Sequence, residues 1–188
     1  MDEKDRVIIS LLQENGRAKL SEIAEKLGIT VMGVKKRLEK LYKTEVIKSK
    51  ALINTKKLGI RTAIILMELK DAEALEKIIQ KFKNCPRIIK FFVTTGGFNL
   101  FAIVFAEDYH SLESISLEKC SLRSQEGVRR FEFYPIQEIY YDPFLDIKVT
   151  PDKSRSIAPC GVDCGTCKRY KDYRCMGCPA TKFYRGKL

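Results

Sequence analysis

Five of the chain's seven cysteines stand within nineteen residues, as Cys160, Cys164, Cys167, Cys175 and Cys178. Their spacing is CxxxCxxC, a gap of seven residues, then CxxC. Two CxxC pairs joined by a short loop can bring four thiolates onto one tetrahedral ion, and zinc favours such a closed S4 cage. Gly161, Gly165 and Gly177 let the backbone turn tightly beside the sulfurs. So short a segment scarcely folds without a metal. CxxxCxxC also supports a [4Fe–4S] cluster, with Cys175 or Cys178 as the fourth ligand. Five cysteines for four positions leave one surplus. Zinc is the first reading, the cluster the alternative, and disulfides or free thiols the last. Cys85 and Cys120 stand alone and read as small apolar core residues. The odd total, with a polar and acidic start that lacks a signal-peptide pattern, argues against a disulfide framework.

The 188 residues carry a formal net charge of +11, unevenly placed. Residues 1–60 hold a net +6, residues 61–140 are neutral, and residues 141–188 hold +5. Clustered positive charge points to a polyanion partner, most often nucleic acid. The longest apolar runs, such as residues 100–106, fall far short of the roughly 20 residues a membrane span needs. These features predict a cytoplasmic protein with no membrane partner. No paired carboxylates, nucleophile–base set or phosphate-binding glycine loop emerges, and the single histidine, His110, reads as a surface residue. The expectation is therefore a protein that is not an enzyme.

The elements that position these groups fall into three stretches. Residues 3–14 place Ile8, Ile9 and Leu12 on one helical face, and Asn15-Gly16 ends it. A short helix over about 21–27 follows, stopped by Gly28. Thr30 caps a third helix over about 31–42. On that helix Val34, Leu38 and Leu41 form the buried stripe, opposite Met32, Lys36, Lys40 and Lys43, with Lys35 alongside. The order of helix, helix, glycine turn and basic helix is a helix-turn-helix pattern. The alternating residues 46–50, with Lys48 among them, predict a basic wing strand. The expected DNA contacts are Met32, Gly33, Lys35, Lys36, Lys40 and Lys48. The lysines would neutralise phosphates, while Met32 and Gly33 offer methyl or backbone contact.

In the middle, residues 62–69, 88–95, 100–106 and 128–135 read as strands, and residues 73–82 and 108–120 as helices. The order βαββαβ predicts a ferredoxin-like antiparallel sheet with both helices on one face. Its open face needs a cover, and a second copy is the simplest one. Residues 142–159 hold three prolines and little periodicity, and residues 142–158 read as a linker or strap. The expected class is α+β, divided at 1–60, 61–141, 142–158 and 159–188.

Residues 1–59 resemble the DNA-binding domain of the Lrp/AsnC, or feast/famine, transcriptional regulators. The resemblance rests on Asp2-Glu3-Lys4-Asp5, Leu11-Leu12-Gln13-Glu14-Asn15-Gly16-Arg17, Glu22-Ile23-Ala24-Glu25, Leu27-Gly28-Ile29-Thr30, Val34-Lys35-Lys36-Arg37-Leu38 and Lys57-Leu58-Gly59. The family usually has Ser or Thr where Lys19 stands, and small polar residues where Val31 and Met32 stand. The middle stretch resembles the same family's effector-binding and oligomerisation domain. That resemblance implies double-stranded DNA as partner, a homodimer that assembles up to an octamer, and a small-molecule effector such as an amino acid. It places the effector at the turn Gly96, Gly97, Phe98 and Asn99, where the family prefers Gly-Asp-Tyr-Asp. The lost acids leave no carboxylate for a ligand ammonium.

The tail resembles a small cysteine-rich module of unassigned function on CGxxCxxC and CxGC alone, which implies a metal but no activity. CxxxCxxC is also found in radical S-adenosylmethionine enzymes, but no large βα barrel is present here. Three alternatives to a regulator with a structural zinc follow. One is a redox- or metal-sensing regulator with a [4Fe–4S] tail. Another is a nucleoid-like architectural protein, favoured by the lysine-rich helix. The last is an enzyme like the sirohaem decarboxylases, disfavoured by the single histidine.

Overall fold

A computed structural model describes residues 1–188, which form two units, Met1–Ala51 and Leu52–Leu188. The first holds three helices: α1 (Glu3–Glu14), α2 (Leu20–Leu27) and α3 (Val31–Lys43). Asp2 Oδ1 accepts from the Asp5 amide at 2.9 Å and Asp5 Oδ2 from the Asp2 amide at 3.0 Å, a reciprocal cap on α1. Lys19, before α2, makes no side-chain cap, and Glu22 Oε2 accepts from its amide at 3.4 Å. Gly28 takes the left-handed conformation, φ +59°, that ends α2. Ile8, Ile23, Ala24, Val34 and Leu38 close the core between the helices.

Thr30 Oγ1 accepts from the Gly33 amide at 3.1 Å and so fixes the start of α3. Thr30→Ala removes that acceptor and should cost about 0.5–2 kcal/mol. Thermal unfolding of the full chain by circular dichroism checks it, as a lower Tm for the helical transition.

The wing strand does not form. Glu45 takes φ +55°, and the amides of Val46 and Ile47 turn back onto the Leu41 carbonyl, closing α3. Ile47 then packs on the helical core, so residues 46–50 pair with no neighbour as a strand. Alternation alone permits a strand; only a partner makes one.

The second unit contains β1 (Ile53–Asn54), β2 (Arg61–Leu69), α4 (Ala72–Phe82), β3 (Ile88–Val93), β4 (Leu100–Ala106), α5 (Tyr109–Leu117), β5 (Val128–Ile136), β6 (Phe144–Leu145) and a short α6 (Lys168–Lys171). The four-stranded sheet has the order β3-β4-β2-β5, antiparallel throughout, as the βαββαβ reading predicts. Ala63, Ile65, Met67 and Leu69 of β2 alternate inward with Leu100, Ala102 and Val104 of β4. They meet Ala74, Ile78 and Phe82 of α4 and Leu112 and Ile115 of α5. α5 ends earlier than expected because Glu118 turns extended and its carbonyl accepts from the Ser121 amide.

The opposite sheet face carries Ile64, Leu66, Phe92, Phe101, Ile103 and Tyr134, none of them fully buried. One end of that face is covered by the chain itself. β1 pairs with β6, and Ile147 packs with Ile60 and the fully buried Phe105.

The expected boundaries shift accordingly. The division falls at 51/52 rather than 60/61, because β1 and Ile60 belong to the second unit. Residues 142–158 are not a free linker: they supply β6 and the buried Ile147 and Ala158. The tail is not a separate body either. Ala158 and Cys160 lie in the main core, and Met176 N–H donates to Ser111 Oγ of α5 at 2.9 Å.

Candidate functional site

In the helical unit, Met32, Lys35, Lys36, Lys40 and Lys43 are all exposed along α3, and Lys48 is exposed beyond it. Met32 is 59% accessible. Gly33 is placed differently from the expectation. It is half-buried and its amide is spent on Thr30 Oγ1, so the backbone contact anticipated there is not available.

Arg37 does not belong to the basic face. Its Nη1 donates to Asp2 Oδ2 at 2.7 Å and to Asp5 Oδ1 at 2.8 Å, which ties α3 to the start of α1. The Asp5 amide bond and then Arg37 hold the Asp2 carboxyl below its usual range; the Asp2 amide and then Arg37 do the same for Asp5. The unfolded chain therefore binds protons more readily than the folded one. This contribution to stability is complete above the unfolded pKa of about 3.9 and is lost as pH falls through the depressed folded values. Acid titration should lower the Tm of the helical transition from about pH 5 downward, most steeply below about pH 4. Arg37→Gln with Asp2→Asn should flatten that dependence.

In the second unit, the expected effector turn is built mostly for its own structure. Asn99 Oδ1 accepts from the Leu69 amide at 2.8 Å and its Nδ2 donates to the Leu69 carbonyl at 3.0 Å. The Asn99 side chain is thereby committed to strand β2 and not presented to a ligand. The Phe98 carbonyl accepts from Thr94 Oγ1 at 2.5 Å, and the Arg130 guanidinium lies 4.7 Å from the Phe98 ring centroid. Gly96 and Gly97 are exposed. His110 is exposed at the start of α5.

The tail is anchored by directional bonds. Arg169 of α6 donates through Nε to Ser114 Oγ at 2.8 Å and through Nη2 to Glu113 Oε2 at 2.5 Å. Arg185 stacks between Tyr170 and Tyr173, 3.8 and 4.3 Å from their centroids. Gly177 has φ +79°, and a Cβ there would fall 2.5 Å from the Phe183 carbonyl oxygen. Only glycine fits between Cys175 and Cys178 at that close approach.

Buried Arg87 joins tail to sheet. Its Nη2 lies 2.9 Å from Glu107 Oε2 and donates to the Gly177 carbonyl at 2.6 Å. Tyr184 OH donates to Glu107 Oε1 at 2.5 Å.

Between tail and core lies a cavity of about 500 Å³. All five tail cysteines line it, and so do Cys85 and Cys120. No three Cys, His, Asp or Glu side chains come together closely enough to share one ion. Burial pushes the Cys85 thiol up to about 12 and Cys164 to about 11, and raises Cys120 and Cys178 as well. None of the seven cysteines forms a disulfide. Cys85 and Cys120 were legible only as core residues.

No helix is long and apolar enough to cross a membrane. Residues 1–42 match the AsnC-type helix-turn-helix domain and residues 62–144 the Lrp/AsnC ligand binding domain. Both matches end before the tail cysteines. An uncharacterized HTH-type transcriptional regulator of Pyrococcus furiosus is 39% identical over 60% of this chain and 75% of its own length. The HTH-type transcriptional regulator LrpA of Pyrococcus horikoshii is 30% identical over 63% of this chain and 85% of its own. The fold is shared with a Neisseria meningitidis transcriptional regulator solved as its L-Met complex. That structure gives a TM-score of 0.67 at 23% identity, covering 76% of this chain and 93% of that one. The relatives are regulators and not enzymes. With a helix-turn-helix unit, a ferredoxin-like sheet and these relatives, the chain belongs to the Lrp/AsnC family of DNA-binding transcriptional regulators.

Proposed function

We propose that the chain regulates transcription by setting α3 into the major groove of double-stranded DNA. Met32 meets base edges, and Lys35, Lys36, Lys40, Lys43 and Lys48 meet phosphates. The observation that carries this reading is the exposed lysine flank of α3 behind a capped N-terminus, with Arg37 withdrawn from it. The protein acts as a homodimer that covers the apolar sheet face around Ile64, Phe92, Phe101 and Tyr134. Light scattering reads that state directly, as a mass of at least two chains. A small-molecule effector binds near the turn at Gly96 to Asn99. The L-Met complex of the Neisseria regulator supports the amino-acid class, although Asn99 lacks the free carboxylate that would hold an ammonium. The tail carries a thiolate-bound metal, with zinc and [4Fe–4S] the two candidates.

Enrichment from a random duplex pool tests the DNA reading. A preferred, two-fold related sequence is expected. Binding with no enrichment would make the protein architectural, and no binding at low salt would remove the reading.

A further inference from the structure

The tail carries a concentration of positive charge that its packing does not use. Residues 168–188 hold seven Lys and Arg against a single acid, Asp172. One of the seven, Arg169, is half-buried and spent on Glu113 and Glu118. Lys171, Arg174, Lys182, Arg185 and Lys187 are exposed, and Arg169 alone of the seven forms an ion pair. None of these five lines the cysteine cavity, so none is placed to offset charge on its thiols. Like charges gathered in this way repel one another, a cost that a polyanion relieves.

The cations around Arg185 are also pre-arranged. The Arg185 amide donates to the Met176 carbonyl at 2.8 Å, and Nη1 donates to the Tyr170 carbonyl at 3.1 Å. Its guanidinium stacks on the rings of Tyr170 and Tyr173, and Lys171 and Arg174 directly follow those tyrosines in the chain. Stacking fixes the plane of the guanidinium, so its remaining N–H groups are oriented before a ligand arrives. Tyr173 takes φ +59°, a conformation that glycine adopts without steric cost and tyrosine does not. Its ring is nonetheless 80% accessible, so burial does not hold it there. The base of this arrangement is rigid, because Arg169 and Met176 bond to Ser114 and Ser111 of α5.

We infer that this face of the tail is a second DNA-contacting surface, which binds the sugar–phosphate backbone of duplex DNA. Arg185 meets a phosphate with its free N–H groups, Lys171 and Arg174 neutralise neighbouring phosphates, and Tyr173 OH donates to the backbone. Such contacts add affinity and fix orientation but read no sequence. The inference rests on the chain being a DNA-binding regulator and adds to α3 a surface in the other unit. Duplex DNA is the favoured polyanion because a duplex held by the helical unit stays at raised effective concentration for the tail.

The test uses the full chain, with fluorescence anisotropy on a selected duplex and on an unrelated one over a range of salt. One triple variant changes Lys171, Arg174 and Arg185 to alanine. A second removes the same charge around α4, at the exposed Lys77, Lys81 and Lys83. The tail variant should lower the slope of log K against log salt by about 0.9 for each lost phosphate contact in each protomer. Both duplexes should weaken by the same factor, on the order of tenfold to a hundredfold. The α4 variant should change the slope far less. Equal losses in the two variants would reduce the effect to net charge and overturn the surface, as would a parental slope in the tail variant. Because Arg185 also packs within the tail, Lys171→Glu with Arg174→Glu is measured alongside and leaves the stack in place. This pair should weaken binding at least as far as the alanine triple. Parental binding by the pair, with a lowered Tm in the triple, would trace the loss to tail unfolding and overturn the surface. A parent that binds no duplex at low salt would remove the DNA reading itself, and this surface with it.

Discussion

Replacing Arg87 by leucine should lower the stability of the 52–188 unit by about 3–5 kcal/mol, the usual result of stranding one half of a buried ion pair. Arg87 is 7% accessible; its guanidinium donates to the Gly177 and Phe105 carbonyls and lies 2.9 Å from Glu107 Oε2 as an ion pair. Its loss leaves a carboxylate and a carbonyl away from water, each of which costs more than the bond that satisfied it. For a unit of this size the Tm should fall by roughly 10–20 °C, measured by calorimetry. The paired change Arg87→Met with Glu107→Met removes both charges and should recover a large part of the loss. Recovery stays partial, because Tyr184 loses its acceptor on Glu107. A single variant within about 2 °C of the parent would mean that the tail is not fastened through this pair.

The second large effect is on DNA. Changing Lys35, Lys36 and Lys40 together to alanine should reduce the slope of log K against log salt by about 0.9 per lysine in each protomer. Affinity should fall by about a hundredfold per protomer near physiological salt. These three side chains are exposed, and only Lys35 has an ion-pair partner here, Glu39 at 3.9 Å. A partner that loose and exposed contributes little, so stability should hardly change. Met32→Ala should leave the salt slope intact and relax sequence preference, since a thioether reads shape and methyl groups but neutralises no phosphate. Lys77→Ala, on the exposed side of α4, serves as the neutral control. An unchanged slope in the triple variant would take α3 off the DNA.

Much of this arrangement was legible in local patterns. The cap at Thr30, the left-handed Gly28 and the stripe Val34, Leu38 and Leu41 are read from residues a few positions apart, and the structure places them as expected. The order of the four central strands followed from their apolar runs and intervening helices. What escaped depends on distant partners. β1 and β6 are two residues each and exist only because Ile53 meets Leu145 and Asn54 meets Phe144. No local period announces such a pair, and residues 142–158 accordingly read only as a linker or strap, of which the structure forms the strap. The wing failed for the opposite reason: its alternation was present but Glu45 turned the chain back onto α3. Arg87, Cys85 and Cys120 carry no motif of their own. Their significance arises from the tail that packs over them, which no spacing within the middle domain reveals.

The most direct test of the central claim places a photo-crosslinking residue at position 32 and, separately, at position 77, and irradiates each protein on its selected duplex. With α3 in the major groove, position 32 crosslinks to bases inside the site and position 77 does not. A protein that is bound yet silent at position 32 would contradict the assignment of α3 as the reading helix.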